Sequence, residues 1–183
     1  MNAHVRACLV AALLLCSAAA PTHAIAQSDG RHGPLKAYMS KVVPQIRGYM
    51  AVAKRADDAF DLVPADDVSP LVEGLSDVAI RFDRLATKWS VIKAPPGLGL
   101  KHRGMGGAFR LQARAFAAWA DGWRQFGDTN DVAVLTAAND HASGLLHSAA
   151  YLQKRWAAAL SGALIRAYLP VPHWLERISM LVP

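Results

Sequence analysis

The sequence predicts an all-α protein: an antiparallel up-down-up-down four-helix bundle followed by a short C-terminal amphipathic helix. Three observations carry this. Apolar residues recur in steps of four and three along four separate stretches, which places them on one stripe of a helix. Sustained strand-like alternation is absent. Proline, glycine and capping residues punctuate the gaps, and the spacers are short enough to favour antiparallel neighbours. With 53% hydrophobic and 19% charged residues over 183 positions, the composition argues against wholesale disorder and leaves room for one domain.

Residues 1–26 read as a secretory signal peptide that does not belong to the fold. Arg6 gives the n-region its charge, Ala7 to Ala20 is apolar, and Ala24-Ile25-Ala26 is a small-x-small cleavage site. The 14 apolar residues fall short of a bilayer span. The protein is therefore expected to be exported, to the periplasm or beyond. Both cysteines, Cys8 and Cys16, leave with the leader, so a disulfide is unavailable and stability must come from packing. Losing Arg6 lowers the formal charge from +6 to +5. No later segment is apolar enough to span a membrane. Residues 27–33 read as a flexible lead-in, and residues 34–183 as one helical domain.

The first apolar run is Leu35, Met39, Val42, Ile46, Tyr49, Ala53, Ala56 and Phe60. Pro44 lies inside it and removes a backbone bond at about 3 kcal/mol, so a kink or a split is expected there. Ser69-Pro70 reads as an N-cap with proline in the first turn. The second run is Val68, Leu71, Leu75, Val78, Phe82, Leu85, Trp89 and Ile92, ended by Pro95-Pro96-Gly97. The third is Met105, Phe109, Gln112, Phe116, Trp119, Trp123 and Phe126. Gly104, Gly106 and Gly107 predict a start near Ala108, with Gly127 at the end. Gln112, polar on an apolar seam, requires a partner. Asp128 or Thr129 is expected to cap the fourth run: Leu135, Ala138, Ala142, Leu145, Ala149, Leu152, Trp156, Ala159 and Ala163. Pro170 closes it and opens a tail, residues 170–183, in which Trp174, Leu175, Ile178 and Leu181 form one apolar face. That face reads as a cap over the bundle end, or else as a docking segment.

Threading this topology sorts the charges. Asp57, Asp58, Asp61, Asp66, Asp67, Glu73, Asp128 and Asp131 gather at one end. Lys36, Lys41, Lys88, Lys93, Lys101, Arg103, Arg166 and Arg177 gather at the other, with His102, His173 and Trp174. Outside the cytoplasm, a basic pole suits lipid headgroups, anionic polysaccharide or an acidic protein. The candidate docking residues are Lys88, Lys93, Lys101, Arg103, Arg166, Trp174 and Arg177. Nucleic acid is not expected, because export opposes it and no recognition motif occurs.

Catalytic and metal signatures are thin. There is no G-x-S-x-G elbow, and Asp140, His141 and Ser143 point to different helix faces. Only Glu73 and Glu176 are glutamates, neither with a histidine three residues on, which excludes a di-iron bundle site. The aromatic stripe from Phe109 to Phe126 reads as core, with a hydrophobic-ligand pocket as the alternative. Met39 and His102 sit near one pole, in phase with the first and third seams, a chemistry suited to haem iron. In architecture this resembles cytochrome b562, a four-helix haem protein, which implies b-type haem between a methionine and a histidine. That family takes its histidine from the fourth helix, whereas His102 precedes the third run. The sequence thus supports a non-catalytic binding or structural module acting through its basic pole, without a cofactor. A haem or hydrophobic ligand inside the bundle is the alternative.

Overall fold

The computed structural model describes residues 33–62 and 67–179. The expected leader, the lead-in up to residue 32 and the last tail residues, including Leu181, lie outside them. Helix accounts for 86% of the described residues and no strand is present among them, so the all-α expectation holds. The helices are α1 (Gly33–Phe60), α2 (Ser69–Ser90), α3 (Gly99–Thr129), α4 (Val132–Arg166) and α5 (His173–Ser179).

Each helix packs on the next in the chain. Gly48 lies against Leu85 and Gly74 against Ala59, which makes α1 and α2 antiparallel. Gly106 meets Trp89, and Gly127 meets Val68, which does the same for α2 and α3. Gly104 faces Leu152 and Gly122 faces Ala138, so α4 runs back along α3. The connections after α1 and α3 therefore share one end. The start of α1, the connection from Val91 to Leu98 and the end of α4 share the other.

The second seam is observed almost as read, with Leu71 to Ile92 buried on one face. Rings fill the middle of the core: Phe82 stacks on Phe116 at 5.5 Å between centroids, and Tyr49 lies 5.8 Å from Phe109. Gln112 does find a partner, the buried Gln153, whose Nε2 donates to its Oε1 at 3.3 Å. α5 packs on α4, with Leu175 and Ile178 buried, so α5 caps the bundle.

Several boundaries differ from expectation, each for a physical reason. α1 runs unbroken through Pro44. Pro44 and Ser40 are both exposed, so water can reach the carbonyl that the proline leaves without a donor. α3 begins at Gly99, well before Ala108, because Leu98, His102 and Met105 are buried and anchor its first turns despite the glycines. Gly106 would place a Cβ only 3.2 Å from Trp89, so the missing side chain serves packing. Ser69 is already helical and does not cap α2; Asp67 Oδ1 instead accepts from its N–H at 2.8 Å. Asp131, rather than Asp128 or Thr129, caps α4 by accepting from Ala133 N–H at 2.9 Å. α3 continues past Gly127 to Thr129 and stops at Asn130, which takes the left-handed conformation at φ 60°. α4 stops at Arg166, before Pro170.

Candidate functional site: a basic end sealed from beneath

Four rings meet under the end that carries the cations. Tyr38 comes from the second turn of α1, Trp89 from the last turn of α2, His102 from the first turn of α3 and Trp156 from α4, and all four are buried. Trp156 Nε1–H donates to the Tyr38 hydroxyl at 3.0 Å. That hydroxyl lies 2.9 Å from His102 Nδ1. His102 Nε2 lies 3.2 Å from the Trp89 carbonyl oxygen, and Trp89 Nε1–H donates to the His102 carbonyl at 2.9 Å. One proton assignment satisfies every group: Tyr38 O–H donates to Nδ1, and the neutral imidazole carries its proton on Nε2, facing the Trp89 carbonyl. The imidazole also stacks on the Trp89 indole at 4.9 Å and 17°.

Burial holds the His102 pKa below the ordinary imidazole range, opposed by hydrogen bonds to the Trp89 and Ile92 carbonyls and assisted by the adjacent Arg103. Burial pushes the Tyr38 phenol up to about 12, partly offset by the Trp156 hydrogen bond. His102 is therefore a closed core histidine and not a loop residue. Both of its ring nitrogens are engaged by Tyr38 and Trp89, so neither is offered to an iron. Met39 is half-buried and follows Tyr38 in the chain; consecutive helical residues point about 100° apart, so Met39 does not share Tyr38's direction toward His102. The structure thus does not present Met39 and His102 as a ligand pair.

Above this seal lie the candidate docking residues. Lys88 lies in the last turn of α2, Lys93 in the following connection, Lys101 and Arg103 flank His102, and Arg166 is the last residue of α4. Lys88, Lys93, Arg103 and Arg166 are exposed and Lys101 is half-buried. None of the five forms an ion pair among the described residues. The other two expected docking residues are less available. Arg177 is half-buried on α5, and Trp174 stacks on Trp156 at 6.3 Å and 16°, which makes it part of the cap.

The opposite end is acidic. An open groove between α2 and α3 is lined by Asp67, Glu73, Asp77, Arg124 and Asp128. Hydrogen bonds from Ser69 lower the Asp67 pKa, and the Arg81 hydrogen bond lowers that of Asp77. Burial raises that of Asp57, with repulsion from Asp61 and Asp58 adding to it. Asp140, His141 and Ser143 lie along an outer part of α4, the first two exposed. Among the described residues no group of His, Cys, Asp or Glu is placed to hold a metal ion, and no helix is long and apolar enough to cross a membrane.

Sequence reasoning missed Tyr38 and Trp89 as polar partners of His102, and Trp156 Nε1 as a donor to Tyr38. One signal was available: Tyr38 precedes Val42 by four, so it fits the α1 stripe as well as Met39 does. Comparison with known protein families, with curated proteins and with solved structures finds no match.

Proposed function

We propose that this protein is an exported, non-catalytic binding or structural module that docks through its basic end on an anionic surface. One observation carries the reading: Lys88, Lys93, Lys101, Arg103 and Arg166 share an end and make no ion pairs among the described residues, and no acidic residue lies between Asp83 and Asp121 in the chain. Unneutralised cations on a rigid support keep their field for a partner. The Tyr38–His102–Trp89–Trp156 network supplies the rigidity, since it ties four helices together directly beneath the charges. An interior ligand, by contrast, would have to break that network to reach His102. A Soret band in protein purified from an exporting host would favour that alternative.

The test compares two charge-reversed variants of equal net charge. Lys93→Glu, Lys101→Glu and Arg103→Glu together alter the basic end. Lys54→Glu, Arg110→Glu and Arg114→Glu alter exposed cations elsewhere. Each basic residue near an anionic surface contributes about 1 kcal/mol, so the first variant should lose on the order of 100-fold affinity for heparin and for anionic vesicles. The second should lose far less. Equal losses would reduce the effect to net charge and overturn the docking end.

A further inference from the structure

α4 ends in a way that the bundle itself does not require. Leu169 N–H donates to the Leu164 carbonyl and Tyr168 N–H to the Ile165 carbonyl, each at 2.9 Å. This closing motif needs a left-handed residue at its penultimate position, which is usually glycine. Here that residue is Tyr168, at φ 50°. A bulky L-residue is strained there. Its ring gains no packing in return, because Tyr168 is 95% exposed. Three more apolar residues are displayed at this end: Val91 at 81%, Leu100 at 67% and Ile165 at 64% exposure. They alternate along the chain with Lys88, Lys93, Lys101 and Arg166.

An end that combines unpaired cations with exposed apolar side chains suits a surface that is anionic at its face and apolar just below. A soluble polyanion offers only the charge. We propose that this end inserts Tyr168 into the headgroup layer of an anionic lipid bilayer, while Lys88, Lys93, Lys101, Arg103 and Arg166 meet the lipid phosphates. Tyrosine suits that depth because its ring is apolar and its hydroxyl remains hydrated. The contact is peripheral, since no described helix can span a bilayer. The inference rests on the docking reading above and names its surface.

The test uses Tyr168→Gly and Tyr168→Phe, measured for thermal stability, for binding to vesicles of phosphatidylglycerol and phosphatidylcholine, and for binding to heparin. Tyr168→Gly should relieve the backbone strain and raise the melting temperature by roughly 2–4 °C. It should also weaken vesicle binding several-fold and leave heparin binding unchanged. Tyr168→Phe should retain most of the vesicle binding. A glycine variant that binds vesicles like the parent, or melts no higher than it, overturns the insertion. So does one that loses heparin and vesicles equally, which would point to an anionic polymer or protein. In each case the docking reading survives if the charge-reversed triple variant still loses binding, and falls with it if that variant binds normally.

Discussion

His102 is a titratable group held neutral by its surroundings, and this gives the fold a pH dependence of definite sign. Its pKa in the fold lies below the unfolded-chain value of 6.5. Between those two values the unfolded chain binds more protons than the fold, so stability rises with pH. The contribution is complete above pH 6.5 and is lost as pH falls through that value toward the folded pKa. Asp67 and Asp77 are depressed below 3.8, so their contributions are lost only in stronger acid. Melting temperature should therefore decline between pH 7 and pH 5 in the parent and much less in His102→Asn. Tyr38→Phe should cost about 1–3 kcal/mol for each group it orphans, namely Trp156 Nε1–H and His102 Nδ1, as read by urea unfolding. Neither role was legible in the sequence. Apolar periodicity marks which residues point inward, but it does not say that a histidine and a tyrosine 64 residues apart in the chain will satisfy each other.

The helices themselves were easier to read, and α4 shows where the reading slips. A strict heptad from Leu135 puts Leu152, Ala159 and Ala163 on the inner face. The buried residues in the second half are Gln153, Trp156, Ala157, Leu160 and Leu164. A seven-residue repeat drifts about 20° per heptad around a straight helix, so after four heptads the inner face has moved by nearly one residue. The shift from 152, 159 and 163 to 153, 160 and 164 is that drift. It brings Gln153 to Gln112, a pairing the sequence demanded but did not identify. The close approach of α3 and α4 is equally local. A Cβ at Gly122 would clash with that of Ala138. Gly122→Ala should therefore destabilise by about 1–3 kcal/mol. Adding Ala138→Gly should recover most of the loss, because the clash lies between those two side chains.

For the molecule as a whole, the feature that matters is which connections share an end. That was legible, because it depends only on helix count and short loops, and the antiparallel pairs Gly48–Leu85, Gly106–Trp89 and Gly104–Leu152 agree with it. Charge placement followed from topology. What did not follow was availability: Trp174 has the chemistry of an interfacial anchor yet is spent on Trp156, while Tyr168 stands fully outside. A fluorophore placed at each end decides whether the polarity is used. Single cysteines at Ser90 and Val132, in a chain with Cys8 and Cys16 replaced by alanine, label the basic and acidic ends without altering charge. On adding vesicles containing phosphatidylglycerol, emission from the Ser90 position should shift to the blue and that from Val132 should stay unchanged. Equal responses at the two ends, or a response at Val132 alone, would contradict docking through the basic end.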